Sequence, residues 1–245
     1  MTALSKIFLF SVLSAVHLHA SADDFTVGEI TVPRGEKLSG FITVPKGTDD
    51  GTTIPVTIVH GANDGPVLAL IAGIHGYEYP PITALQAMRT QLDPAAISGT
   101  VILVHIANMP AFLGRTIYYS PGDGKNLNRM FPGDPDGTIS QRIAHTLTTT
   151  VIDQANYLVD LHAGDGNEAL RPYVYMPVTG SAVFDREIEG LAVAFGLDHI
   201  VMDTGPQHAS GPSLFTDQTA LERGIPAITT ETGKSGSNAP YWVGL

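Results

Sequence analysis

Two histidines and two glutamates stand at or just beyond the ends of apolar runs, and their types define a chemistry. His75 and Glu78 follow Val67-Leu68-Ala69-Leu70-Ile71-Ala72-Gly73. His162 closes Tyr157-Leu158-Val159-Asp160-Leu161, and Glu231 closes Ile225-Pro226-Ala227-Ile228-Thr229-Thr230. Two imidazoles and one carboxylate are the ligand set of a catalytic zinc ion that keeps a fourth position open for water. Glu231 is then the spare base that takes a proton from that water. Each group also has a plainer alternative. His75 and Glu78 alone fit a hydrogen-bonded histidine beside a helix-capping carboxylate, and a lone His162 fits a structural histidine. Asp160 either orients the His162 ring or caps a following turn. The agreement of three run ends favours the metal.

A second group lies in the Gly-, Pro- and Asn-rich stretch Asn108–Gly137, which shows no periodicity. Loops of this length inside a domain usually carry function. Asn128 beside Arg129 offers an amide and a guanidinium fork that together grip a carboxylate. Arg115 supplies a second positive charge for a carbonyl oxygen becoming an oxyanion. A solvent-exposed arginine in a flexible loop is the bland alternative for both. His60, His105, His145, His199 and His208 lack such company and read as structural or surface residues. No Gly-x-Ser-x-Gly, Walker or His-Glu-x-x-His motif occurs, so serine-elbow, nucleotide and thermolysin-type readings lack support. Gly164–Ala169 mimics a dinucleotide fingerprint but opens no helical pattern.

The elements that must position these residues read as alternating strands and helices. Strands are expected at Val56–Val59, Val67–Ala72, Val101–Ile106, Tyr157–Leu161, Tyr173–Tyr175, Ile200–Met202 and Ala227–Glu231. Helices are expected at Pro80–Leu92, from a capping box at Thr138–Gln141 to about Thr150, at Val183–Phe195 and at Ser213–Arg223. Such alternation implies an α/β layered domain with helices on both faces, whose active site lies beyond the carboxyl ends of its parallel strands. Phe25–Val44 alternates loosely and suits a short antiparallel β lead-in.

Composition narrows the class. A formal charge of −11 argues against nucleic acid as a partner, while only 15% charged residues excludes an acidic disordered chain. Cysteine is absent, so neither disulfides nor a thiolate metal site is available. Lys6 before Ile7–Leu13, then Ala20-Ser21-Ala22, reads as a secretory signal over 1–22 with cleavage before Asp23. No stable membrane insertion is expected, and the mature protein is expected to be periplasmic or secreted. The division is a signal at 1–22, a β lead-in at 23–52 and a catalytic domain at 53–245.

Gly73-Ile74-His75-Gly76-Tyr77-Glu78, Arg115 with Asn128-Arg129, Asp160-Leu161-His162-Ala163-Gly164 and Glu231-Thr232-Gly233 resemble, in order, the succinylglutamate desuccinylase/aspartoacylase family. The resemblance runs from about Val56 to Gly233. It implies a carboxypeptidase-like α/β/α domain on a mixed, mostly parallel sheet, one Zn²⁺ per chain, and hydrolysis of the amide of an N-acyl amino acid or related small carboxylate. Carried over, His75, Glu78 and His162 are the metal ligands and Glu231 the general base. Arg115 polarises the scissile carbonyl, and Asn128 and Arg129 hold the substrate carboxylate. Family members usually continue into a C-terminal β-rich domain, so a sequence stopping at Leu245 is expected to be a shortened form. Two rivals stand beside this expectation: a metallocarboxypeptidase or cell-wall peptide amidase, and a non-catalytic carboxylate-binding protein.

Overall fold

The apolar runs that flank the candidate ligands become the middle of one sheet. A computed structural model describes residues 23–205 and 215–244. The expected signal, His208 and the start of the expected helix at Ser213 lie outside the described residues. Strands β1 (Phe25–Val27) and β2 (Ile30–Val32) form an antiparallel hairpin. Eight further strands make the main sheet: β3 (Glu36–Val44), β4 (Thr52–His60), β5 (Asn63–Ala72), β6 (Ser98–Val104), β7 (Tyr157–His162), β8 (Tyr173–Pro177), β9 (Ile200–Asp203) and β10 (Ala227–Glu231). Their order is β3-β4-β6-β5-β7-β10-β8-β9. The central run β6, β5, β7 and β10 is parallel, as is the pair β8 and β9. The other neighbours are antiparallel. This is the expected mixed, mostly parallel sheet.

Helices α1 (Tyr79–Gln91), α2 (Met109–Gly114), α3 (Ile139–Thr150), α4 (Ala182–Phe195), α5 (Thr216–Leu221) and α6 (Pro240–Val243) connect or flank the strands. Alternation along β7 sends Val159 and Leu161 to one face and Asp160 and His162 to the other. The first pair meets Leu85 and Met88 of α1 and Leu191 and Phe195 of α4 around an apolar cavity. The second face turns towards α5, which packs on β7 and β10. Ile71, Ile102, Leu103, Leu158 and Ile228 are fully buried between these layers. No helix among the described residues is long and apolar enough to cross a membrane.

The expected antiparallel β lead-in is present: after the β1–β2 hairpin, β3 runs on into the main sheet, pairing over its whole length with β4, from Glu36 opposite His60 to Val44 opposite Thr52. Its alternation, with Ile42 and Val44 buried and Phe41 exposed, belongs to an edge strand of the main sheet. One stretch differs from expectation: Asn108–Gly137 is not a structureless loop. It contains α2 and a 3₁₀ turn at Leu127–Arg129. Both are too short to show a period, yet each is opened by an asparagine. Asn108 Oδ1 accepts from Ala111 N at 3.2 Å and Asn126 Oδ1 from Asn128 N at 2.9 Å. Helix α3 begins with the expected capping box, Thr138 with Gln141.

Candidate metal centre and active site

Parallel register brings the run ends together. Ala72 lies opposite Leu161, and His162 opposite Glu231, so β5, β7 and β10 finish level with one another. After β5 the chain must turn sharply into α1. Gly73 does so with φ +72°, and a Cβ there would lie 2.9 Å from Ile106 Cα. Gly76 is needed for another reason: a Cβ would come within 2.3 Å of the Ala111 carbonyl carbon, so only glycine lets this turn rest on α2.

Glu78 is the residue before α1, the usual place for a capping carboxylate, but its side chain makes no cap hydrogen bond. A cap accepts from the second or third backbone N–H of the helix. Those positions are Pro80 and Pro81, which have none. The carboxylate turns inward instead. Its Oε1 lies 2.7 Å from His75 Nδ1 and its Oε2 2.9 Å from His162 Nδ1. The Ala163 N–H donates to the same Oε2 at 3.3 Å. The two imidazole rings are 5.0 Å apart between centroids.

His75, Glu78 and His162 each offer one donor atom, all within 4.8 Å of one another. They are 7%, 3% and 2% exposed. The far ring nitrogens are also met by oxygen: His75 Nε2 by Asn126 Oδ1 at 3.1 Å, and His162 Nε2 by Asp160 Oδ2 at 3.1 Å. The second approach is not aligned as a hydrogen bond, and both Asp160 oxygens lack a hydrogen-bond partner among the described residues. Nδ1 atoms turned to a shared carboxylate, with oxygen acceptors behind them, form a donor set that fits a divalent zinc ion. Burying three such groups is costly unless they are paired or hold a cation. Burial opposes ionisation of Glu78, but His162 and His75 outweigh it and hold its carboxyl down at about 2. Burial likewise opposes protonation of His162, and Asp160 and Glu78 outweigh it, raising its pKa well above the ordinary value.

A cavity of about 500 Å³ opens from this cluster, lined by His75 and His162 together with Asn128, Arg129 and Glu231. Among the described residues, the buried Glu231 Oε2 has no hydrogen-bond partner. Burial, only partly offset by His162, pushes the Glu231 carboxyl up to about 8. Arg129 donates from Nη1 to the Asn128 carbonyl at 2.6 Å and lies 4.4 Å over the Phe215 ring, so its fork is steered at the cavity mouth. Arg115 is placed differently. It caps α2 in the left-handed conformation, with φ 53°, is exposed, and is not among the lining residues. His60 and His105 are buried and bonded to Thr100 and Thr57.

Sequence reasoning passed over three contributors. Asn126 reads as one more loop asparagine, although its position two before Asn128 sets the turn that delivers both. Tyr118 meets the His75 ring edge-on at 5.2 Å and donates its hydroxyl to Glu168 Oε1 at 2.9 Å. No local pattern marks it. Asp217 lines the cavity from the first turn of α5, where an acidic residue is ordinary. The two-residue spacing of Asp160 and His162 does put both on one face of β7.

The chain is similar to characterised sequences and structures. The model of the succinylglutamate desuccinylase/aspartoacylase catalytic domain matches residues 64–240. An N-alpha-acetyl-L-2,4-diaminobutyric acid deacetylase of Halomonas elongata is 36% identical over 207 residues, covering 82% of this chain and 58% of that protein. The chain thus spans under two thirds of that relative's length. Among solved structures, a succinylglutamate desuccinylase/aspartoacylase of Rhodobacter sphaeroides superposes with a TM-score of 0.77 at 28% identity, over 89% of this chain and 64% of the other. The product-bound ectoine utilization protein EutE (DoeB) of Ruegeria pomeroyi gives a TM-score of 0.78 at 26% identity, over 92% and 68%. With its ordered motifs, its sheet and its matched residues, this chain belongs to the succinylglutamate desuccinylase/aspartoacylase family.

Proposed function

We propose that this protein hydrolyses the amide bond of a small N-acyl amino acid, with one zinc ion held by His75, Glu78 and His162. The observation that carries the reading is the pairing of that buried donor set with the free carboxylate oxygen of Glu231 in one cavity. The deacetylase activity of the Halomonas elongata relative supports it. Bound zinc would supply Lewis acidity, stabilising charge on the acyl oxygen and acidifying a water. The residues supply the rest. Asn128 and Arg129 hold the substrate carboxylate and so fix the amide against Glu231. Glu231 takes a proton from the attacking water and returns it to the leaving nitrogen as the carbon–nitrogen bond breaks, so the water is divided between acid and amine. Arg115 keeps its proposed role as a second cation for the acyl oxygen. Export through residues 1–22 is part of the proposal, on the strength of their charge and apolar pattern.

The test is an assay of zinc-loaded protein on N-acetyl amino acids and on short peptides, with release of free amine as the readout. Amine released from the N-acetyl amino acids alone is the expected result. Preferential release of C-terminal residues from peptides would establish a carboxypeptidase instead. Carboxylate binding without any turnover would leave a binding protein.

A further inference from the structure

One side-chain oxygen joins the two halves of the candidate site. Asn126 Oδ1 accepts from Asn128 N at 2.9 Å and also lies 3.1 Å from Nε2 of His75. The first contact opens the 3₁₀ turn Leu127–Arg129, which carries both residues of the carboxylate grip. The Asn126 backbone takes part as well, its carbonyl accepting from Arg129 N at 3.0 Å. Leu127, fully buried, pins the turn from beneath, and Asn128 and Arg129 face the cavity. The grip is thus set by Asn126, and Asn126 in turn touches a ring of the metal donor set.

That contact constrains where the ring can keep its proton. A neutral imidazole carries one, on either nitrogen. On Nδ1 it is donated to Glu78 Oε1, 2.7 Å away. Nε2 is then bare and faces the Asn126 oxygen, two acceptors 3.1 Å apart. Turning the amide over would bring an N–H to the ring, but it would set the same NH₂ against the Asn128 N–H and lose the cap. With the proton on Nε2, Oδ1 accepts from the ring and from Asn128 N together. A cation held through Nδ1 allows only this second arrangement.

We propose that Asn126 is a positioning residue that makes the grip of Asn128 and Arg129 depend on the metal. Zinc on His75 locks the amide that caps the turn, and a carboxylate held by the turn favours zinc in return. The inference rests on the hydrolase reading for the metal and the grip, and adds a coupling between them. Without zinc, the ring and the turn compete for one amide, and the grip is set for only part of the time.

Amide exchange with water reads this coupling without turnover. In ¹⁵N-labelled protein at pH 7.5, exchange of the Asn128 N–H is measured by NMR with and without one equivalent of zinc. The Ala111 N–H is the reference. It is capped in the same way by Asn108 Oδ1 at 3.2 Å, and Asn108 bonds on to the Ile74 carbonyl instead of a ring. Zinc should slow Asn128 by about tenfold more than Ala111. Asn126→Asp keeps the acceptor, so it should keep that difference and bind zinc at least as tightly. Asn126→Leu keeps the volume and removes the acceptor. There zinc should slow the two amides alike, and zinc affinity should fall by about 10–100-fold. Equal slowing in the unaltered protein would overturn the proposal, whether or not either variant folds. A difference that survives in folded N126L would overturn it too. Equal slowing in a protein that hydrolyses N-acetyl amino acids would remove the coupling and leave the hydrolase reading. Selective slowing without any hydrolysis would do the reverse.

Discussion

At the residue scale, the arrangement turns on which carboxylates are engaged and which are free. Glu78 is denied its capping role by Pro80 and Pro81 and faces both imidazoles, whereas Glu231 keeps an unpaired oxygen in the cavity. In the proposed mechanism the two glutamates therefore separate into ligand and base. Glu231→Gln keeps the shape and removes the proton acceptor, so zinc content should stay near that of the unaltered protein. The rate of hydrolysis should fall by about 10²–10⁴. Activity within about threefold of wild type would take Glu231 out of the mechanism. Both proposed roles were read in the sequence from run ends alone, and the Glu78-Tyr79-Pro80-Pro81 order removes the capping alternative for Glu78. Tyr118 and Asp217 were not legible, because each reaches the cavity through tertiary packing that leaves no local spacing.

At the element scale, the strands were readable because their apolar runs are long and buried, and α3 because its capping box is explicit. The stretch Asn108–Gly137 hid α2 and the 3₁₀ turn, each too short for a period and fixed by asparagine caps. The alternation of β3 reports one covered face but not which strand pairs with it. Just after β6, His105 ties the sheet together. It is 6% exposed, shares a 2.8 Å hydrogen bond between Nε2 and Thr57 Oγ1, and its Nδ1 has no partner. Burial, with Arg89 adding to it, pulls its pKa down to about 4. The folded value lies below the unfolded one, so the unfolded chain binds the proton first. The stability this histidine contributes is complete above about pH 6.5 and is lost as pH falls towards 4. The full loss is about 3 kcal/mol. Urea unfolding across that window should show His105→Gln losing less stability on acidification than the unaltered protein by about that amount. Parallel curves would show that His105 does not titrate with folding.

At the scale of the whole molecule, the sheet order makes the site. Two strands far apart in the chain, β5 and β10, both pair with β7, so the loop after each parallel strand empties onto one rim. That convergence was expected from the α/β alternation, while the strand order was not readable, because periodicity names strands without naming their neighbours. The charge distribution follows the same logic. Among the described residues Arg129 is the one arginine or lysine lining the cavity at the candidate site, so a chain of net charge −11 offers an anionic group a local attraction and not one over its whole surface.

The most direct measurement is the zinc content of purified, zinc-equilibrated protein beside His75→Ala and His162→Ala, each checked for fold by circular dichroism. One equivalent per chain in the unaltered protein, lost in both folded variants together with hydrolysis, is the predicted result. A full equivalent of zinc retained in either folded variant would contradict a metal centre built from these side chains.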